Sequence, residues 1–171
     1  GGIDIDEYIE RSNVDKEESI LNNLATRDEA SGIGFRYSKF IGADILSFDA
    51  SYIPTIDSGN NLAFKVQYSH FIPYRNWSVF SNFGITYYSA DVANYYIGID
   101  TDEVTDKRPY YQTDSGAYEY ELDIFAIYPL SKKWTFNLGA KINQYSNNIK
   151  RSPIVDRSSE SLFSLGVMYA F

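Results

Sequence analysis

The chain has 171 residues, enough for one domain, and its formal net charge of −8 argues against non-specific nucleic-acid binding, which requires clustered Lys and Arg. With no Cys and a single His, it has no residues for a disulfide framework, a thiolate metal site or a transition-metal cluster. No run of about 18 apolar residues is present, so a transmembrane helix is excluded, although a membrane barrel is not, because each barrel strand needs only about 9–11 residues.

Residues 1–28 differ in composition from the rest of the chain, because they are polar and contain eight acidic residues. We interpret them as a polar acidic loop, in which Ile3 and Ile5 fit the end of a cut strand. The sequence begins with Gly1 and lacks a signal peptide, which indicates a processed, engineered or partial form.

From Ser31 onward, apolar and polar residues alternate with a period of two, which is the pattern of strands with two unlike faces. In the second strand, for example, Phe48 and Tyr52 share the apolar face and Asp49 lies on the polar face. The alternation predicts seven antiparallel strands, near residues 31–40, 44–53, 61–72, 77–88, 117–128, 134–145 and 161–171.

The connections between these strands differ in length in a regular way. Short turns are predicted at 40–43, 73–76 and 129–133, long loops at 89–116 and 146–160, and an intermediate loop at 54–60. Short turns on one side and longer loops on the other are typical of an outer-membrane barrel, with the short turns in the periplasm. The polar face consists mostly of Ser, Asn, Gln, Gly and Thr, which suits a narrow interior better than the solvent surface of a soluble barrel. We therefore predict an all-β fold, an antiparallel transmembrane β-barrel of the outer membrane; a soluble ligand-binding barrel is the alternative.

Aromatic residues are predicted to form a girdle at each end of the strands, as an interfacial position requires. The girdle near the short turns comprises Tyr68, Trp77, Tyr128, Trp134 and Tyr169. The girdle near the long loops comprises Tyr52, Tyr87 and Tyr118.

Charged residues on the polar face are predicted to point into the barrel lumen. Three acidic residues occupy every second position of the fifth predicted strand. Adjacent residues on one face of a strand lie about 6–7 Å apart, so these three form an acidic column. This column could bind a cation or set the cation preference of a small pore, but we favour neutralisation of the column by the basic residues in a plugged interior. The predicted lumen-facing residues are Arg36, Asp49, Lys65, Glu119, Glu121, Asp123 and Lys141, with the acidic column at Glu119, Glu121 and Asp123.

Catalytic chemistry finds little support in the sequence. The only histidine, His70, falls on the apolar face near a short turn, so we interpret it as an interfacial residue and not as the base of a serine hydrolase. Paired carboxylates for glycoside hydrolysis would need a sugar cleft, which a narrow barrel does not offer. We therefore expect a protein that is not an enzyme and that has no catalytic residues, metal ligands or cofactors.

The end of the chain alternates strictly and finishes on an aromatic residue. It resembles the C-terminal signal by which outer-membrane barrels are recognised for assembly, which implies the barrel assembly machinery as a partner. The residues of this assembly signal are Phe163, Leu165, Val167, Tyr169 and Phe171.

Two stretches carry a more specific resemblance. One runs from Ser89-Ala90-Asp91 through Asn94-Tyr95-Tyr96-Ile97-Gly98-Ile99 to Arg108-Pro109-Tyr110-Tyr111; the other runs from Tyr128-Pro129-Leu130-Ser131-x-x-Trp134 to Ser152-Pro153-Ile154-Val155-Asp156. Together they resemble the MipA/OmpV family of MltA-interacting outer-membrane proteins over roughly residues 27–171. The motif residues on the predicted outer loops are Asp91, Tyr95, Tyr96, Gly98, Ser152, Pro153, Ile154, Val155 and Asp156. We expect the Tyr95-Tyr96 motif and residues 152–156 to pack on each other over the barrel mouth.

The resemblance implies a location in the outer membrane of a Gram-negative bacterium and a role as a scaffold or interaction protein. The family's namesake is described as bridging a lytic murein transglycosylase and a penicillin-binding synthase, which implies partners in peptidoglycan remodelling. A small channel for ions or solutes is the alternative function. Family members carry further N-terminal strands, and an odd count of seven agrees with this, since bacterial single-chain barrels have an even number. Residues 29–171 are thus expected to be the C-terminal part of the barrel.

Contact with membrane lipid is expected for the apolar face, and contact with lipopolysaccharide for the long loops. These loops carry basic residues that could meet lipopolysaccharide phosphates; ordinary solvated charge is the equally favoured alternative. The basic loop residues are Lys107, Arg108, Lys150, Arg151 and Arg157.

Overall fold

The computed structural model describes residues 24, 31–54, 56 and 59–170. The predicted acidic loop at 1–28, apart from Leu24, and the terminal Phe171 of the predicted assembly signal lie outside the described residues. The described part contains the strands β1 (Ile33–Ile41), β2 (Asp44–Tyr52), β3 (Leu62–Tyr74), β4 (Trp77–Tyr88), β5 (Ala117–Pro129), β6 (Trp134–Tyr145) and β7 (Ser159–Tyr169), and the helices α1 (Ala90–Ile97) and α2 (Asn147–Lys150).

The seven strands form one antiparallel sheet in which each strand pairs with its neighbours in sequence, so that β1 and β7 are the two edges. The predicted strands are confirmed, with ends that agree to within two residues. Two turns are tighter than predicted, at residues 42–43 and 75–76, because the ladder continues to Ile41↔Asp44 and Tyr74↔Trp77. Such two-residue turns need positive φ, which Gly42 (65°) and Arg75 (53°) supply.

The register places residues of one chemical kind in rows across the sheet. One row passes through the directly opposed pairs Arg36↔Asp49, Asp49↔Lys65, Lys65↔Thr86, Thr86↔Glu119 and Glu119↔Tyr145. Directly opposed residues of an antiparallel pair point to the same face, so this row belongs to a single polar face. The alternation predicted from the sequence is therefore carried consistently from β1 to β6.

The opposite, apolar face carries bulky side chains that remain exposed. Phe35, Phe163 and Leu165 are 69%, 76% and 73% exposed. Of the predicted assembly signal, Phe163, Leu165, Val167 and Tyr169 all lie on this face of β7, since their partners in β6 include Leu138 and Trp134. Large apolar side chains that project from a continuous sheet face need an apolar environment to cover them.

Aromatic rings gather at both ends of the apolar face. At the short-turn end, the ring centroids of Trp77 and Tyr128 are 5.0 Å apart, and those of Trp134 and Tyr169 are 4.8 Å apart. At the long-loop end, the Tyr87 ring lies 5.1 Å from that of Tyr118. The rings thus form two bands, as a pair of interfacial girdles would.

The hydrophobic core of the described residues lies beside the long loops, at one end of the sheet. It joins Ile53, Ile56, Ala63, Tyr88, Val92, Ala93, Tyr96, Ile97, Ile99, Ala117, Tyr145, Ile149, Ile154 and Val155, with Leu24, Tyr95 and Tyr111 packed against it. No helix among the described residues is long and apolar enough to cross a membrane.

Adjacent positions on β3 test whether the apolar face contacts lipid. We expect Val66→Lys to lower the free energy of unfolding in lipid vesicles by about 2–4 kcal/mol, because it places a charge on the lipid-facing side near mid-strand. The matched variant Gln67→Lys changes the polar face at the same depth and should lower the free energy of unfolding clearly less. Urea titration of the full-length protein in vesicles measures both, and equal losses would contradict the assignment of the two faces.

Candidate functional site

A helix covers the polar face of the sheet where the strands end. Helix α1 begins directly after β4, and its buried side chains Val92, Ala93, Tyr96 and Ile97 join the core. The same core contains Ala63, Tyr88, Ala117 and Tyr145. In the register these four have the parity of Lys65, Thr86, Glu119 and Lys141 and therefore belong to the polar face. The helix is thus folded inward over the polar face.

The ends of α1 explain why the helix forms at this place. Ser89 precedes it, and Asp91 in the first turn places a negative charge near the N-terminus, which favours the helix. At the other end, the Gly98 N–H donates to the Asn94 carbonyl at 2.8 Å. A Cβ at position 98 would lie 2.3 Å from that carbonyl oxygen, so only glycine fits there.

The second long loop is joined to the first by one buried and two partly buried hydrogen bonds. The Ser152 hydroxyl, 2% exposed, donates to the Ile97 carbonyl at 2.7 Å. The Tyr111 hydroxyl donates to the Asn148 carbonyl, and the Asn148 amide donates to the Gly116 carbonyl at 2.8 Å. We call these two joined loops, residues 89–116 and 146–158, the loop cap.

The third and shorter loop is fastened to the loop cap by an aspartate. The Asn60 N–H donates to Asp91 Oδ2 at 2.5 Å. Gly59 adopts a φ of +89°, and a Cβ there would lie 2.2 Å from the same carboxylate oxygen. Glycine at 59 therefore allows the backbone to approach Asp91 closely.

The structure brings most of the family-motif residues together. Tyr96, Ile154 and Val155 share the core, and Ser152 contacts the end of α1. The Tyr95 ring lies 5.0 Å from the Tyr96 ring, and Pro153 is half-buried. Asp156 is exposed and lies outside this core.

Arg108 differs from the other basic residues of the long loops. It is 0% exposed, and its Nε and Nη2 donate to the Glu103 carbonyl at 2.8 and 2.5 Å. A guanidinium enclosed in this way cannot reach a lipopolysaccharide phosphate, so the structure corrects that expectation for Arg108. Lys107, Arg151 and Arg157 are exposed, and Lys150 is half-buried.

Tyr111 is a titratable residue that contacts the second long loop. Burial raises the pKa of its phenol above the ordinary value, and the positive charge of Arg151 opposes this effect. The phenol is therefore protonated at neutral pH and remains the donor to the Asn148 carbonyl.

The charges of the polar face are largely paired. Glu121 accepts from two lysines: its Oε1 lies 3.3 Å from Lys65 Nζ and its Oε2 lies 3.0 Å from Lys141 Nζ. Lys65 crosses β4 to reach Glu121 over Gly84, where a Cβ would lie 3.2 Å from Lys65 Cε. The absence of a side chain at position 84 therefore permits this ion pair.

The remaining charges of the polar face have closer partners than expected. Arg36 pairs with Asp49, which is its direct partner on β2, and three strands separate it from the acidic column on β5. Glu119 accepts a hydrogen bond from the Tyr88 hydroxyl at 2.8 Å, and Asp123 accepts one from the Asn82 amide at 3.1 Å. Neutralisation of the column by basic residues thus holds for Glu121, whereas Glu119 and Asp123 are hydrogen-bonded to neutral groups.

His70 lies on the apolar face near the first short turn, where the sequence places it. Its Nδ1 contacts Asp44, whose other carboxylate oxygen accepts from the Tyr68 hydroxyl at 2.5 Å. The Tyr68 and His70 rings stack with centroids 6.3 Å apart. Among the described residues no group of three or more His, Cys, Asp or Glu could hold a metal ion.

Sequence reasoning missed α1 and the burial of Arg108. The signal for α1 was present, because Val92 and Tyr96 are spaced four residues apart and Gly98 follows as a stop. Nothing in the local sequence distinguishes Arg108 from Lys107, since burial of a charged loop residue depends on contacts across the fold.

The contact between the two long loops can be tested at Ser152. We expect Ser152→Ala to destabilise the loop cap by about 1–3 kcal/mol, because the buried Ile97 carbonyl loses its donor. Limited proteolysis of the full-length protein should then cut within 89–116 faster than in the wild type. Ser158→Ala, an exposed position in the same loop, serves as the control, and equal cleavage rates in both variants would contradict the proposed coupling.

Comparison with known proteins identifies relatives in the outer membrane. A family model described as MltA-interacting protein MipA matches residues 3–171. Outer membrane protein OmpV of Vibrio cholerae is 33% identical over 88 residues, which are 52% of this chain and 34% of that protein. Omp26La of Vibrio anguillarum is 27% identical over 158 residues, 92% of this chain and 57% of that protein. The 24 kDa outer membrane protein of Pasteurella multocida is 34% identical over 96 residues, 55% of this chain and 37% of that protein.

No solved structure matches the chain. The matches span between 34% and 57% of the lengths of these curated relatives, which are outer-membrane proteins of Gram-negative bacteria. A consecutive antiparallel sheet with one bulky apolar face and one polar face, in a chain with these outer-membrane relatives, fits a transmembrane β-barrel. The protein is therefore a component of the outer membrane, and because the family model covers residues 3–171, the chain belongs to the MipA/OmpV family.

Proposed function

We propose that this protein is a non-enzymatic scaffold of the outer membrane, which binds peptidoglycan-remodelling enzymes and keeps its lumen closed. The observation that carries the proposal is the loop cap: the long loops fold over the polar face and bury α1 there. A solute channel needs an aqueous path along the same face. A packed core at the mouth fits a scaffold that presents binding surfaces better than it fits a channel that conducts solutes.

The proposal takes the polar face as the wall of the lumen. Lys65, Glu121 and Lys141 are joined by two ion pairs that span β3 to β6, and Arg36 pairs with Asp49. Charges that are paired with side chains of the same face are less available to a passing ion. Their pairing supports a structural role in the wall.

The proposed partners come from the family. The matching family model is described as MltA-interacting, and MltA is a murein transglycosylase; a penicillin-binding synthase is the second proposed partner. In outer-membrane barrels the short turns face the periplasm, where peptidoglycan lies. Leu130 in the β5–β6 turn is 56% exposed, so this turn offers an apolar anchor to a protein partner.

We also propose that residues 29–171 are the C-terminal part of a larger barrel. In the described sheet, β1 and β7 are edges and are not paired with each other. A barrel that spans a membrane has no open edge, so further strands of a longer protein would close it. The apolar face of β7 is proposed to carry the signal for the barrel assembly machinery.

Capture of the transglycosylase tests the scaffold role. The full-length protein, solubilised in mild detergent, should retain the murein transglycosylase of its own organism, and Leu130→Ser should weaken retention by about tenfold, the effect of one apolar anchor of about 1.4 kcal/mol. Val104→Ser removes an apolar side chain of similar exposure, 44%, from the long loops at the other end of the sheet. That control should bind like the wild type. No retention by the wild type, or equal loss in both variants, would sink the proposal.

The channel is retained as a second candidate because acidic residues outnumber basic ones on the polar face of the described strands: Asp49, Glu119, Glu121, Asp123 and Glu160 against Arg36, Lys65 and Lys141. Planar-bilayer recordings distinguish a channel from a closed scaffold. We expect no single-channel steps from the full-length wild type. A variant in which residues 89–116 are replaced by a short Gly-Ser linker should conduct, provided that it still shifts on heating in gels. Cation-selective steps from the wild type would favour the channel.

A further inference from the structure

Basic residues are concentrated at the short turns of the sheet. This end carries Lys39, Arg75, Lys132 and Lys133. Among the described residues its one acidic side chain is Asp44, which contacts Tyr68 and His70. The loop cap at the other end has seven acidic and five basic residues. The chain is acidic as a whole, so this local excess of positive charge is not a consequence of composition. We call these four basic residues the basic rim.

Two cations of the basic rim are held against the aromatic girdle. The Arg75 guanidinium carbon lies 5.5 Å from the centroid of the Tyr74 ring. Lys133 Nζ lies 5.6 Å from the centroid of the Tyr169 ring and 3.4 Å from its hydroxyl. Cation–π contacts of this kind favour a cation near the ring face.

These contacts determine the depth of the charges in the membrane. Tyr74 and Tyr169 lie on the apolar face and are directly opposed to Trp77 and Trp134, respectively. Girdle aromatics sit at the level of the lipid headgroups. The side chains of Arg75 and Lys133 therefore lie beside the lipid-facing surface, at the depth where phosphate groups are found.

We propose that the basic rim binds the phosphates of anionic phospholipid headgroups in the leaflet that the short turns face. The ammonium and guanidinium groups supply charge-assisted donors to phosphate oxygens. Clusters of Lys and Arg at a membrane surface recognise anionic headgroups in this way. The contacts with girdle rings favour lipid over an acidic protein as the occupant, because they hold two cations along the barrel wall instead of at the tips of the turns.

The two tryptophans of the chain report on this rim directly, since Trp77 and Trp134 both flank the short turns. The full-length protein is reconstituted in phosphatidylcholine vesicles that contain either brominated phosphatidylglycerol or brominated phosphatidylcholine, and quenching of tryptophan fluorescence gives the relative affinity of the two lipids. The same measurement on the double variant W77F/W134F subtracts any signal from other tryptophans of the full-length protein. The probe is thus confined to lipid next to the basic rim.

At low salt we expect the affinity of the wild type for phosphatidylglycerol to exceed its affinity for phosphatidylcholine by at least about twofold. The upper limit of this difference is about fivefold for each cation. The variant R75Q/K132Q/K133Q should lose this preference, and high salt should weaken it in the wild type by screening. The control K107Q/R151Q/R157Q removes three exposed charges from the loop cap and should keep the preference. A heat-dependent gel shift verifies that each variant is folded.

Other outcomes would overturn the proposal. A wild type without preference, or a preference that survives R75Q/K132Q/K133Q, would show that the rim does not select anionic lipid. Loss of the preference in both triple variants would assign it to net charge and not to the rim. If R75Q/K132Q/K133Q lost transglycosylase capture with an unchanged lipid preference, the rim would be a protein-binding surface. The lipid measurement does not depend on the scaffold role, so either proposal can fail alone.

Discussion

Inside a bilayer, every backbone N–H and C=O group must find a hydrogen-bond partner, and this requirement explains the arrangement of the strands. The hydrocarbon core offers no water to an unpaired N–H or C=O, so a strand can cross only when its backbone groups are paired with neighbouring strands. Between the two edge strands β1 and β7 the requirement is met by the simplest topology, in which each strand pairs with its neighbours in sequence. The regular ladder in turn gives every strand two faces. Bulky apolar side chains occupy one face, and the ion pairs and the loop cap lie on the other.

Because the bulky apolar face of the sheet remains exposed, the strands contribute little to a buried core. The bulky residues of β1 and β7 are among the most exposed large apolar side chains of the described residues. The buried core forms instead where loops return over the polar face. Helix α1 is stabilised there by apolar contacts with the last residues of the strands, with small side chains at Ala63 and Ala117. Glycines at 59 and 98 allow the close approaches that this packing needs. The loop cap is thus the part of the described structure that most resembles the core of a soluble protein.

Charge is separated into three zones along the strands. The middle of the polar face holds ion pairs such as Lys65 with Glu121, the loop cap has a small acidic excess, and the short turns are basic. The charge of each zone is explained by the surroundings of its side chains. A narrow interior requires partners for buried charge, whereas the short turns lie at the depth where girdle tyrosines can support a cation. The proposed functions follow the same division. The loop cap is proposed to close the barrel mouth, and the short turns are proposed to present a surface to the periplasm.

The strands, their two faces and the girdles can be predicted from the sequence, because a period of two is a local property that can be read from neighbouring residues such as Phe48 and Asp49. The sequence also indicated the family, through ordered motifs that remain recognisable without coordinates. Four features could not be predicted in this way: the Arg36–Asp49 pair, the contact of Lys65 with Glu121 over Gly84, the burial of Arg108, and the hydrogen bond from Ser152 to Ile97. These contacts join positions that are distant in the chain or lie in irregular loops, and their partners depend on register and loop packing, which no local pattern encodes.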